Sequence, residues 1–224
     1  MKTSQRIIAA AATALLAVAA PAAAHTPEPA PPTEQPTEMP AEMQGPPPST
    51  HGAFLPYPDE LSESFTLPAC GSEITVESGD VDEREYRVLV DTEGNTVVES
   101  RGAVTADVTR ASDGAMLDEV DVSGGGFETF SADGTSVTYD TSGASIVVAF
   151  DEVEAQVFEE AGLPQAFLFL SGELTETVTF ESAPQSGPEV PPVASAEITQ
   201  NSTEYVFDLC DLLDQAAAEE TPAA

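Results

Sequence analysis

Between Cys70 and Cys210 the chain alternates apolar and polar residues in short runs, and breaks carrying glycine separate one run from the next. Successive strand side chains point to opposite faces, so such alternation reads as half-buried strands. Breaks this closely spaced leave room for hairpins and not for crossover helices. Ile74 and Val76 alternate with Glu73, Thr75 and Glu77; Tyr86, Val88 and Val90 oppose Arg87 and Asp91; Val104, Ala106 and Val108 oppose Thr105, Asp107 and Thr109. Val120 with Val122, Val137 with Tyr139, and Leu174 with Val178 and Phe180 continue the pattern. Asp91-Thr92-Glu93-Gly94-Asn95, Ser112-Asp113-Gly114, Gly124-Gly125-Gly126, Ala132-Asp133-Gly134 and Thr141-Ser142-Gly143 break it. An all-β antiparallel meander of about ten strands is predicted, closed as a barrel or, alternatively, folded as a two-layer sandwich.

Two runs, Ile146–Phe150 and Ala166–Leu170, are apolar on both faces and must be covered on both. Between them Asp151 and Glu154 form a capping-box pattern, and Gly162 with Pro164 supplies a stop. One short helix is predicted here, packing through Val153, Val157 and Phe158 on the outside of the sheet. Tyr205–Cys210 reads as the closing strand.

Outside this region the composition changes. Lys2 and Arg6 precede an apolar run to Ala20, and Ala22-Ala23-Ala24 offers a cleavage site. Residues 1–24 are therefore expected to be a secretory signal peptide, and the mature protein to be secreted without a membrane anchor. Residues 25–58 hold about half of the prolines and no apolar periodicity, which predicts an extended, disordered spacer. Residues 59–214 remain as a single β domain, with 215–224 as a disordered tail. In an oxidising compartment the only two cysteines are expected to pair, and closing so long a loop contributes on the order of 4 to 5 kcal/mol. Two buried free thiols are the alternative. A redox role has no support, since CxxC spacing is missing.

Beyond residue 24 there is no lysine and there are four arginines against 40 acids, a net charge of −36. Such a surface repels nucleic acid and anionic membranes. The acids are interleaved with apolar residues instead of gathered in blocks, so they decorate a folded surface. Adaptation to high salt, where self-repulsion is screened, explains that pattern; calcium binding is the rival.

Catalytic constellations are mostly excluded. His25 and His51, the only histidines, lie in the spacer, which disfavours triads and histidine-ligated zinc, and no cofactor is expected. Asp91–Asn95 carries acids at alternate positions like a calcium loop, but its glycine is misplaced and no bidentate glutamate follows. Parity is more selective. Glu176 falls on the face of Leu174, Val178 and Phe180, Asp118 with Met116, Val120 and Val122, and Arg84 with Tyr86 and Val88. A charge on an apolar face is paired or lines a cavity, which makes these three residues the candidate ligand-binding set, with Glu176 first and Arg84 as its charge partner.

Phe65 before Cys70, Gly102-Ala103-Val104-Thr105, Asp113-Gly114, Asp133-Gly134-Thr135, Ser171-Gly172-Glu173-Leu174 and Asp208-Leu209-Cys210, behind a signal peptide and a proline-rich spacer, resemble a group of uncharacterised secreted all-β proteins of actinobacteria. The resemblance runs from Phe65 to Leu213 and implies a barrel-like fold with no activity to transfer. Two functions stay open: a non-catalytic extracellular module that binds a small ligand or a partner, or has a structural role, and a barrel enzyme of isomerase or lyase type using acid, arginine and tyrosine groups.

Overall fold

The computed structural model describes residues 52–58, 64–183 and 191–220. Residues 1–51, 59–63, 184–190 and 221–224 lie outside them, and with them the expected signal peptide, most of the expected spacer and most of the loop from Ala183 to Pro192. The described chain runs β1 (Leu55–Pro56), β2 (Phe65–Ala69), β3 (Ser72–Asp82), β4 (Glu85–Val90), β5 (Thr96–Arg101), β6 (Val104–Arg110), β7 (Met116–Asp121), β8 (Gly125–Phe130), β9 (Ser136–Ser142), β10 (Ser145–Val148), α1 (Glu152–Glu160), β11 (Ala166–Ser171), β12 (Glu173–Phe180), β13 (Val193–Asn201), β14 (Glu204–Asp208) and α2 (Leu209–Glu220). The class is all-β and antiparallel, as the alternation predicts. The strands form three sheets, β1-β4-β5-β8-β9-β12-β13, β2-β3-β6-β7 and β10-β11-β14, and none of them closes on itself.

The three orders correspond strand by strand. Each strand of the seven-stranded sheet continues along the chain into, or out of, one strand of the smaller sheets, and apart from β1 and β2 the two are joined by one to three residues. Apart from β1 and β2, the molecule is thus a meander of six long strands, each bent once, so that strands switch sheets at a corner. Backbone hydrogen bonds carry the ladder through that corner: Glu83 N–H to Ala103 O (2.8 Å), Gly124 N–H to Ala144 O (2.8 Å), Gly143 N–H to Gly172 O (3.1 Å) and Ser202 N–H to Glu173 O (2.8 Å). Glycine is required at two of the bends. Gly102 and Gly172 have φ of 129° and 97°, and a Cβ would strike the carbonyl of Glu83 or of Ser202.

The smaller half of the meander is split between β7 and β10, and α2 packs beside the split against β7, β11 and β14. Leu209 and Leu213 are its fully buried residues. The predicted closing strand ends at Asp208, whose carboxylate accepts the Cys210 N–H at 2.8 Å, and a helix runs to Glu220 where a tail was expected. Two attachments hold α2. The Cys70–Cys210 disulfide ties its first turn to the β2–β3 turn, with Cα atoms 5.1 Å apart. Arg110, at the end of β6, donates to Asp113 (2.7 Å) and to Asp214 on α2 (2.6 Å).

α1 begins as the sequence predicts, with Asp151 accepting the N–H groups of Val153 and Glu154, but Glu154 reaches back to the Phe150 N–H. Its end is a Schellman motif: Leu163 N–H meets Phe158 O, Gly162 N–H meets Glu159 O, and Gly162 is left-handed. The buried pair is Glu154 and Phe158, whereas Val153 is exposed, which corrects the expected packing face. Phe158 stands edge-on to Phe167 at 5.7 Å, so α1 covers part of the doubly apolar β10–β11 pair. One core cluster joins Ile74, Val108, Ile146 and Phe169 of the small sheets to Val137, Leu174 and Val178 of the large one.

Candidate functional site

Register places Val88, Val98, Glu128, Tyr139, Glu176 and Ile198 side by side across six neighbouring strands of the large sheet. All face the interior. Directly opposed residues in antiparallel strands have Cβ atoms about 5 Å apart, so Tyr139 stands between two glutamates. Glu128 is 1% exposed, Glu176 2% and Tyr139 5%. In the next row Tyr86 opposes Ser100, Ser100 opposes Gly126, and Gly126 opposes Thr141. Ser100, Glu128, Tyr139, Thr141 and Glu176 thus form a polar strip on an otherwise apolar inner face.

Two atoms of this strip, Ser100 Oγ and Glu128 Oε1, are buried and have no hydrogen-bond partner among the described residues. Such an arrangement is costly for a carboxylate, because an unpaired charge away from water loses its solvation. The Glu128 carboxyl responds by holding its proton, and burial pushes its pKa up to about 8. It is thus poised near neutrality, where a cation placed beside it would favour the ionised form and send the proton to solvent.

Glu176 lies inside on the face that parity assigns it. Arg84, just before β4, donates to Asp82 and Ser78 and lies over the ring of Tyr57, its Cζ 4.8 Å from the centroid. Asp118 is exposed, which corrects the parity reading. Val108 opposes Leu117 and Ala106 opposes Val120, leaving Asp107 facing both Asp118 and Glu119. Glu119 has φ of 52°, and this bulge flips the alternation, so that Leu117, Val120 and Val122 point inward while Met116 and Asp118 point out.

At the bulge the carboxylates of Asp107, Asp118 and Glu119 offer oxygens within 4.8 Å of one another, the geometry a cation would use. Glu119 already accepts from Asp80 N–H (2.6 Å) and Thr105 Oγ1, and Asp107 accepts the Glu119 N–H at 2.8 Å. These bonds fasten the bulge. At the suspected calcium loop, Asp91 accepts the N–H groups of Glu93 and Asn95 and the Asn95 amide, which makes it a hairpin cap.

Sequence reasoning missed Glu128. Phe127 and Phe130 stand on opposite parities around it, so the local pattern is ambiguous. Counting in twos from Val122 through the glycine triplet reaches Glu128 and then Phe130, both inward, and that longer count carries the signal. No protein-family model, curated protein or solved structure matches this chain.

Proposed function

We propose that the chain is a secreted, non-catalytic binding module whose interior strip takes up a small organic cation, such as a protonated amine. The observation that carries this reading is the fully buried Glu128 carboxyl with an unpartnered oxygen, beside Ser100 Oγ and Tyr139. A cation entering the strip would supply the missing partner, favour the ionised carboxylate and displace its proton. The excess of acids over arginines on the exterior concentrates cations around the domain. Barrel-like curvature belongs to the same proposal, since the two halves of the meander share one core and the strip lies on the enclosed face.

Methylammonium titrated into the mature protein at several pH values tests this. Saturable binding that tightens as the pH rises towards about 8 and disappears in Glu128→Gln is expected, because ligand and proton compete for one carboxylate. Absence of saturable binding, or equal binding by the variant, refutes it. An isomerase or lyase with Glu128 as proton donor is the second reading, favoured by a carboxyl poised near neutrality. That reading predicts exchange of solvent deuterium into a bound carbon acid, which a binding module does not catalyse.

A further inference from the structure

Three of the four arginines beyond residue 24 surround one short segment. β1 offers only two ladder positions, Leu55 opposite Tyr86 and Pro56 opposite Glu85, too few to hold an edge strand by backbone bonds alone. Side chains do the holding. On the outer face the Phe54 ring lies under Arg101, its Cζ 3.6 Å from the centroid, and under Arg87 at 4.7 Å. Both guanidiniums are kept in place by carboxylates, Arg101 by Glu85 (2.8 Å) and Arg87 by Glu99 (2.5 Å). On the inner face Tyr57 stands edge-on to Tyr86 at 5.7 Å and beneath Arg84. Tyr86 opposes Ser100, which lies one strand from Glu128, so this segment closes the edge of the sheet at which the polar strip begins.

We propose that residues 54–57 are a latch over the interior strip, with Phe54 as its pin and the Arg87–Arg101 slot as its catch; this rests on the interior-binding reading. The Arg101 side chain is 57% exposed and that of Arg87 31%, so these cation–π contacts are individually weak, and the segment opens when the Phe54 and Tyr57 rings leave their arginines. The latch governs how fast a small cation enters and leaves, not how tightly it is held.

Amide hydrogen exchange on the mature protein, wild type against Phe54→Ala and Phe54→Tyr, tests the latch without any ligand. Phe54→Ala is expected to speed exchange at Tyr86 and Ser100 at least tenfold while β10, β11 and β14 stay protected, and Phe54→Tyr is expected to restore protection. Unchanged exchange in Phe54→Ala overturns the proposal. Methylammonium association and dissociation should accelerate together in Phe54→Ala, leaving Kd within twofold; a change confined to dissociation overturns the latch. Failure of methylammonium to bind wild type brings down the interior-binding reading instead, and the exchange data identify that case.

Discussion

Arg110 and Glu128 are both taken almost wholly out of water, yet they are buried in opposite ways. Arg110 is met on two sides, by Asp113 and Asp214, and those hydrogen bonds raise its pKa further while holding that of Asp113 below the usual carboxylate range. Glu128 has an oxygen without a partner among the described residues and keeps its proton instead. The first arrangement is what fastening a helix requires. The second stabilises nothing by itself, and a fold that holds such a group on its inner face is readier for a ligand than for strength. The α2 region, with the disulfide and Arg110, is therefore read as structural, and the inner strip as functional.

The largest expected effect breaks the structural side. The disulfide spans 140 residues, so Cys70→Ser should cost on the order of 5 kcal/mol in denaturant unfolding, with the double variant no worse than either single one. A loss below about 1 kcal/mol would show that α2 is held without it.

The functional side is sharpened by pH. The folded-state pKa of Glu128 is raised from 4.5 to about 8, so the folded protein binds the extra proton between those values and stability falls as pH rises through that window. Glu128→Gln, neutral throughout, should match wild type near pH 4 and exceed it above pH 8 by up to about 5 kcal/mol. A variant less stable than wild type at pH 9 would mean that the ionised carboxylate has a good partner.

Smaller effects follow. Arg110→Met should destabilise by about 2 kcal/mol, since it removes three charge-assisted bonds, two to Asp113 and one to Asp214, and Asp214→Asn by less because Asp214 is largely exposed. Thermal unfolding should shift upward from dilute buffer to molar sodium chloride as repulsion among the acids is screened, with millimolar calcium adding no saturable step. A sharp calcium transition lost in Asp118→Asn would assign the bulge cluster as a cation site and make calcium a reason for the acidity.

Local patterns carried much of the architecture. Period-two alternation identified β3, β6, β9 and β12, Asp151 and Gly162 marked the ends of α1, and the inward face of Glu176 was readable because β12 alternates without interruption. These signals are legible because each depends on neighbours two to four residues away. The sequence by itself also determined the charge, and with it the screening argument. Tertiary structure decided the rest. The bulge at Glu119 moved Asp118 outward through a pairing with Asp107 on another strand, and the meander bent at one corner because Gly102 and Gly172 face carbonyls remote in sequence. The strip exists only because four strands align in register, and register depends on long-range pairing that no local pattern encodes.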